Sequence, residues 1–320
     1  MFSVRALNEF NIEMFRIGYD ERMSPHFSVA FQNGEKYLFH VDSTIKREKR
    51  NWFGLITHAH SDHYGQRNMK RGNAIASRET SSILEAVTGE EFNGITFEPG
   101  SRIDGELEFV ATHPTQHMHG ASAFSWETDE GVKILVTGDV KKFKTLPECN
   151  ILITEATYGH PKYIFRDEYP RILAAIEEHG SVSFGAYPIG KAQKVVEYLI
   201  SNGYEVGAEE KIVNICKRLM GDIRGLNYDG DVMVVSPRTL RSIKGRKYIL
   251  TAQPFYRMPR IVVSDHLDFL GLLKMIQHCR PDVVVFYHGN PSGHLVNFLK
   301  KESIEAITLN QLPKKNWKEL

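Results

Sequence analysis

The sequence predicts an α/β protein, and three observations predict it. Strand-like runs dominate the first 165 or so residues, strand-like and helix-like runs alternate after that, and no internal repeat or low-complexity linker interrupts either part. Short apolar runs alternating with amphipathic segments are the pattern of βα units around a parallel sheet. A chain of 320 residues can form one large domain or two medium ones. The change of pattern near residue 165 points to a second module within it.

The elements follow in order. Residues 27–42 alternate in strand fashion about a turn at Asn33-Gly34. Residues 52–57 form a short apolar run that leads into a His-rich segment, and 77–87 reads as a helix. Strands are expected at 107–111, 121–127, 133–137 and 151–154. A helix at 168–178, a strand at 182–186, a helix at 191–201 opened by Gly190 and a helix at 209–220 come next. Strands at 232–236, 248–252 and 261–264, a helix at 269–278, a strand at 283–287 and a helix at 295–300 close the chain.

Composition narrows the class. Lys and Arg number 40 against 39 Asp and Glu, and 42% of residues are hydrophobic. That balance is globular; it excludes disorder, collagen, coiled coil and a strongly basic nucleic-acid coat, while leaving room for a local basic groove. No run reaches the roughly 18 apolar residues that span a bilayer. Met1-Phe2-Ser3-Val4-Arg5 is followed by polar and acidic residues, without the apolar core of a signal peptide. Cys149, Cys216 and Cys279 lie far apart with no CxxC pair. A disulfide framework or zinc ribbon is not expected, and a reducing, cytoplasmic compartment fits.

The densest chemical signal is Thr57-His58-Ala59-His60-Ser61-Asp62-His63, where three His and one Asp fall within six residues after an apolar run. Residues two apart in an extended loop face the same way, so His58 and His60 can share one metal. Asp62 and His63 can turn toward a second as a helix starts. Neutral imidazole and carboxylate suit Zn²⁺ or Mn²⁺, and this spacing argues against a merely solvated His-rich turn. Further ligands must come from elsewhere. His117 or His119 in Gln116-His117-Met118-His119-Gly120, Asp139 in Thr137-Gly138-Asp139 and His288 in Tyr287-His288-Gly289 each stand beside a strand-like run and a glycine that lets the backbone turn tightly.

The run HAHSDH resembles the HxHxDH motif of the metallo-β-lactamase fold, and Val41-Asp42-Ser43 resembles the aspartate motif that precedes it. His117 in QHMHGAS resembles the third motif and Asp139 in VTGD the fourth. Later segments resemble the β-CASP nucleases: Glu155 in TEATYG their acidic motif A, His266 in SDHLDF motif B, His288 in YHGN motif C, and Gly190-Lys191-Ala192-Gln193 the helix start inside the β-CASP insertion. These motifs stand in the family's order over nearly the whole chain. The resemblance implies an αββα metallo-β-lactamase sandwich with an inserted α/β β-CASP cap. Residues 1–160 and 256–320 would form the sandwich and 161–255 the insertion, with the substrate cleft between the two.

Site roles are likewise implied by the resemblance. His58, His60 and His117 would hold one divalent metal, and Asp62, His63 and His288 the other, with Asp139 bridging. Zinc is the expected metal, with manganese as the alternative. Asp42 would orient the His loop without touching metal. Asp62, Glu155 and His266 would form the catalytic set, His266 giving a proton to the leaving oxygen while Glu155 holds its tautomer and favours imidazolium. A simple lactamase or thioesterase has no need of that pair.

Two loops offer phosphate contacts. Gly190 and Lys191 at a helix start can cradle a phosphate or simply turn from strand to helix. Ser292, Gly293 and His294 can grip a phosphate or cap a helix. Basic clusters recur at Lys46-Arg47-Lys49-Arg50, Arg67 with Lys70-Arg71, Lys141-Lys142-Lys144, and Arg238 through Lys247. As a set they read as a nucleic-acid footprint, although any one alone reads as a solvated face. Tyr158, Phe255, Tyr256 and Tyr287 are candidates for base stacking, with core packing the alternative.

The expected activity is a two-metal phosphodiesterase on single-stranded nucleic acid. The short insertion and the GKAQ wording resemble compact prokaryotic exonucleases that accompany DNA ligases, which implies a 5′–3′ single-strand DNA exonuclease in repair. His288 pulls toward RNA processing of the RNase J and cleavage-factor kind. A small-molecule hydrolase of glyoxalase or lactonase type is the third reading. Partners implied are single-stranded DNA or RNA, a second copy of the chain or a ligase-type repair protein, and no membrane.

Overall fold

The computed structural model describes residues 7, 9–19, 22–23, 26–45 and 47–320. The expectations placed on Met1 through Arg5 and on Lys46 lie outside the described residues. The protein is a mixed α/β fold. It divides into two compact units, one of Met1–Ser81, Glu90–Tyr163 and His266–Leu320, the other of Ser82–Gly89 and Ile164–Asp265.

The strands before the main break are β1 (Glu13–Tyr19), β2 (Arg22–Met23), β3 (Phe27–Asn33), β4 (Glu35–Val41), β5 (Trp52–Leu55), β6 (Ala74–Ser77), β7 (Ile95–Phe97), β8 (Ala111–Pro114), β9 (Ser122–Glu127), β10 (Lys133–Val136) and β11 (Ile151–Ala156). Then come β12 (Val182–Gly185), β13 (Val206–Ala208), β14 (Leu226–Asn227), β15 (Val232–Val235), β16 (Lys247–Leu250) and β17 (Arg260–Ile261). The chain closes with β18 (Val283–Gly289), β19 (Glu305–Thr308) and β20 (Lys314–Asn316). The α-helices among the described residues are α1 (Arg78–Thr88), α2 (Tyr169–His179), α3 (Lys191–Ser201), α4 (Glu210–Met220), α5 (Pro237–Ser242), α6 (Phe269–Cys279) and α7 (Gly293–Lys301).

The first unit holds two mixed sheets. One runs β2-β1-β3-β4-β5-β6-β7 with β20 beside β1, and the other runs β19-β18-β11-β10-β9-β8. β3 and β4 pair antiparallel across the turn at Gly34, and β4 to β7 continue in parallel. The strand period of two assigns the side chains. Val29, Phe31, Phe39 and Val41 from one sheet join Phe124, Ile134, Ile153 and Val285 from the other in one buried cluster. The intervening Leu135, Leu152, Val284 and Phe286 turn to the opposite face and pack on α6 and α7. The second sheet is thus covered on both faces, which is why 151–154 and 283–287 read as unbroken apolar runs.

β18 carries a bulge against β11. Thr154 pairs with Phe286, but Glu155 pairs with His288, so Tyr287 is the extra residue. A bulge re-aims the side chains around it. Tyr287 turns into the shared core, and His288 reaches Asp139.

The second unit is a six-stranded sheet of order β14-β13-β15-β12-β16-β17, with every pair parallel. α2, α3 and α4 bury Ile172, Val195, Val196 and Ile212 against its Phe184 and Val234. This is the βα alternation expected from residue 165. Two expected strands are not formed: 261–264 is strand only at Ile261, the end of β17, and 107–111 is the other. At 107–111 the chain makes a 3₁₀ turn, Gly105–Leu107, and the strand begins at Ala111. Leu107 and Val110 are both buried, a spacing of three that suits a turn and not a strand, and Gly105 starts it at φ +74°. No helix among the described residues is long and apolar enough to cross a membrane.

Candidate metal centre

The site begins with Asp42, immediately after β4. It has φ +49°, a left-handed conformation that Asp and Asn tolerate better than most residues. Its carboxylate is buried and accepts four hydrogen bonds. Oδ1 takes Thr57 N at 2.8 Å; Oδ2 takes Thr57 Oγ1 at 2.9 Å, Tyr287 OH at 2.9 Å and His63 Nδ1 at 2.8 Å. Those bonds set ring tautomers. His63 gives its Nδ1 proton to Asp42, so in the neutral ring Nε2 is the nitrogen with the lone pair. The Thr57 hydroxyl spends its one proton on Asp42 and so accepts from His58 Nδ1, 3.0 Å away, leaving His58 Nε2 as a lone pair too. Burial pushes the Tyr287 phenol well above its usual range and the Asp42 charge adds to that, so it stays a donor.

Three ring nitrogens then converge. His60 Nδ1 lies 3.1 Å from His58 Nε2 and 3.3 Å from His117 Nε2. Asp139 Oδ2 completes the group, 3.6 Å from His58 Nε2 and 3.5 Å from His117 Nε2. Asp62, His63 and His288 form a second group, and Asp139, Glu155 and His266 a third. Asp139 Oδ2 also lies 4.0 Å from His63 Nε2, so it stands between the first two. His288 Nδ1 is 3.0 Å from Asp139 Oδ1, and its Nε2 is 3.7 Å from Asp62 Oδ2.

The donor set fits metal ions. The four donors lie within 4.8 Å of one another, and four of their separations, 3.1–3.6 Å, match the edges of a tetrahedron whose centre is about 2.1 Å from each corner, the Zn–N distance. A single shared proton satisfies only one of the two facing nitrogen pairs, whereas a cation satisfies both. His63 Nε2 is buried with no hydrogen-bond partner among the described residues, an expense that a ligand role removes.

The electrostatics differ from ring to ring. Burial, with the His63 charge, holds His58 well below the usual imidazole range and keeps it neutral. Burial opposes charge on His63 as well, but the Asp139 and Asp42 carboxylates outweigh it and raise His63 to about 9, so without metal its Nε2 holds a second proton that a bound cation must displace. Burial disfavours the Asp139 carboxylate, yet the surrounding His63, His266, His288 and His117 hold it well below the usual carboxylate range.

Beside this cluster, His266 Nδ1 meets Glu155 Oε2 at 2.7 Å, and Glu155 Oε1 accepts Val140 N at 2.8 Å. The backbone bond fixes the carboxylate and the carboxylate fixes the ring. Gly138 lets the Asp139 loop approach the His loop: it has φ +64°, and a Cβ there would sit 2.6 Å from Thr57 Cβ. His60, Asp62, Asp139, His266 and His288 line one open cavity of about 600 Å³, with Lys162, Tyr163 and Ser292 on its wall.

Other sequence-derived residues stand apart from the cluster. His119 is not in it. Ser292 caps α7 by accepting Leu295 N, and Gly293 and His294 open that helix; the His294 ring lies 5.8 Å from His160, which lines the cavity. Gly190 opens α3 with its N–H on Gln193. Lys191 is buried; its ammonium donates to Leu250 O and Val263 O and lies 3.7 Å from Asp265. Arg50, Lys70 and Arg71 are paired with Glu35, Glu90 and Glu48. Tyr158 and Tyr287 are buried and offer no face to a base, whereas Phe255 is 69% exposed.

The structure adds one residue from outside the motifs, His26, and gives roles to two that the motifs contain, Thr57 and Tyr287. His26 donates from Nε2 to Asp62 O at 2.5 Å and lies beside the His63 and Tyr287 rings. Thr57 and Tyr287 share the Asp42 carboxylate. His26 carries no spacing signal, and the role of Tyr287 depends on the bulge.

No family model matches the chain. It is 22% identical over 231 residues to RNase aCSPSF2 of Saccharolobus solfataricus, covering 59% of this chain and 43% of that protein. It is 21% identical over 305 residues to a probable DNA ligase of Opitutus terrae, covering 80% of this chain and 28% of that one. The chain therefore spans less than half the length of either curated relative. Among solved structures it resembles a protein of unknown function from Enterococcus faecalis V583, with TM-score 0.57, 16% identity, and coverage of 85% of this chain and 80% of that one. The likeness to that structure is one of fold. The chain is a mixed α/β protein with buried His/Asp groups able to hold divalent metals, and it has distant similarity to a nuclease.

Proposed function

We propose that the protein is a two-metal phosphodiesterase of the metallo-β-lactamase fold with a β-CASP insertion, cutting single-stranded nucleic acid. One observation carries the reading: two metal-fitting groups joined at Asp139 share a cavity with an Asp/Glu-oriented His that neither group needs as a ligand. His58, His60, His117 and Asp139 would hold one ion, and Asp62, His63, His288 and Asp139 the other, zinc being the metal that this donor set suits. Bound there, two dications supply a water activated near neutral pH and a clamp for the phosphoryl oxygens.

The chain's own residues do the rest. Asp42 holds the two ring tautomers on which ligation depends. His266 keeps one proton on Nδ1 toward Glu155, and Nε2 is then the atom that passes a proton to the leaving sugar oxygen. Ser292, Gly293 and His294 are the phosphate contacts nearest this cavity. Gly190 and Lys191 would serve substrate only if the Lys191 ammonium left its carbonyl partners.

The preferred substrate is single-stranded DNA, cut from the 5′ end during repair in the cytoplasm, with a ligase-type protein or a second copy of the chain as partner. The ligase-named relative, matched over 80% of this chain, supports it. RNA processing is the second reading, favoured by His288 and by the relative named as an RNase. Matched 5′-labelled DNA and RNA oligomers, incubated with Mn²⁺ or Zn²⁺ and resolved over time, separate the two. Mononucleotides from DNA are expected; faster loss of RNA moves the assignment to RNA processing. Cleavage of neither by metal-loaded protein overturns the nuclease reading in favour of a small-molecule hydrolase.

A further inference from the structure

The second unit presents an ordered aromatic stack that the metal chemistry does not use. Tyr187 follows β12, and Phe255 and Tyr256 follow β16, the neighbouring parallel strand. The Tyr187 and Tyr256 hydroxyls hydrogen-bond at 2.9 Å. Tyr256 is anchored from below by Val235, Leu240 and Ile249. Phe255 stacks on Tyr256, with ring centroids 5.1 Å apart and planes 24° from parallel. Phe255 is 69% exposed and Tyr187 50% exposed, among the most exposed large hydrophobic residues described. A rigid, preordered ring left this far in water keeps apolar surface available to a partner.

Position and charge supply one. In open parallel α/β sheets, ligands bind beyond the carboxyl ends of the strands, where the winding reverses. From β12 the chain winds to one side through β13 and β14, and after β15 it crosses to the other through β16 and β17. The stack stands on the loops after β12 and β16. Residues 236–260 contain seven Lys and Arg and no Asp or Glu. Arg238, just after β15, and Arg257, next to Tyr256, stand at the same carboxyl end, exposed and with no ion pair among the described residues, whereas Lys244 and Arg246 precede β16 at its amino end. A flat π-face beside unneutralised cations matches a planar base on a phosphate backbone. A neutral apolar partner would leave the cations idle, and an acidic peptide would leave the open π-face unfilled.

We propose that Phe255, supported by Tyr256 and Tyr187, is a stacking platform for a base of single-stranded nucleic acid. The proposal rests on the nucleic-acid reading above and adds a base-binding site outside the metal centre. Stacking of one base on one ring is sequence-tolerant, so DNA and RNA share the contact.

The test uses the full metal-loaded chain and fluorescent single-stranded oligomers with hydrolysis-resistant phosphorothioate linkages, one bearing bases and one abasic at equal length. Phe255→Ala should weaken binding of the base-bearing oligomer about 5- to 150-fold, leave the abasic oligomer's affinity alone, and leave hydrolysis of bis-p-nitrophenyl phosphate alone. Phe255→Trp should restore binding. Because Phe255 is largely exposed, its removal should not move the unfolding midpoint, which is checked in parallel. Unchanged base-bearing affinity in Phe255→Ala overturns the platform and leaves the nuclease reading standing. A wild-type protein that binds neither oligomer overturns both. A dimer that Phe255→Ala dissociates, with oligomer affinity unchanged, assigns the stack to contact between copies and overturns the proposal.

Discussion

Replacing Asp42 by Asn changes the charge of one buried carboxylate and nearly nothing else. Asn tolerates the φ of +49° as well as Asp does, so the backbone is not disturbed. The amide has one acceptor oxygen where the carboxylate has two. With that oxygen in the Oδ2 position, Thr57 Oγ1, Tyr287 and His63 keep their acceptor, and the amide NH₂ faces Thr57 N, donor against donor. The other orientation leaves three donors without an acceptor, so the first is the cheaper. An unsatisfied buried N–H costs about 1–3 kcal/mol, and the surviving bonds lose the strength that a charged acceptor gives. The sum is a stability loss of about 2–5 kcal/mol. Thr57 directly precedes His58, so the same change loosens the ligand loop, and metal affinity should fall about 10- to 100-fold. Denaturant unfolding of the metal-free protein reads the first number, and competition with a chelator reads the second. Wild-type metal affinity together with unfolding within about 0.5 kcal/mol of wild type would refute the reasoning, because the four hydrogen bonds would then be dispensable.

Other substitutions separate the roles of neighbouring residues. His266→Ala should keep both metals by elemental analysis while turnover falls about 10²- to 10⁴-fold, because it removes a proton donor and no ligand. Asp139→Ala should lose metal and activity together, measured on one preparation by elemental analysis and oligomer cleavage; a metallated, active variant would show that Asp139 joins nothing. His40 supplies a pH test away from the site, since burial lowers it to about 4, with Ser28 Oγ as a hydrogen-bond partner at 2.9 Å. Its unfolded form takes up a proton near pH 6.5 and its folded form does not, so stability should be full above pH 6.5 and fall by up to about 3 kcal/mol as pH drops to 4. His40→Leu should flatten that part of the unfolding profile, as followed by thermal denaturation against pH.

Much of the fold was legible because its long elements have clean periods. The helices expected at 168–178, 191–201, 209–220 and 269–278 are α2, α3, α4 and α6 to within a residue or so at each end. The elements that escaped are short or buried on both faces. β7 and β13 have three residues each, too few to show a period. In β1, adjacent Met14 and Phe15 are both buried, Met14 toward the inter-sheet core and Phe15 toward the outer cluster, so no apolar/polar alternation marks it. β20 is Lys-Lys-Asn and pairs only at an edge. The His/Asp cluster was legible for a different reason: rare residue types at fixed spacing are a denser signal than any hydrophobic pattern. His26 and Tyr287 reach Asp62 and Asp42 through single hydrogen bonds, and single contacts between residues distant in sequence leave no spacing to read.

Asp42 also shows why the centre and the core of the first unit are one cooperative structure. Asp42 follows β4, and Thr57 and His63 follow β5, all in the first sheet; Tyr287 lies on β18 in the second. The four hydrogen bonds to one carboxylate therefore tie the two sheets together at the end of their shared core. The bond to Tyr287 requires the β18 bulge, and the same bulge sets the register that pairs His288 with Glu155. A regular β18 would move His288 out of line with Glu155 and forfeit either the Tyr287 bond or the Asp139 contact. The irregularity costs one unpaired ladder residue at the strand's end, and it holds together the carboxylate that orders the His loop, the His that reaches Asp139 and the Glu that orients His266.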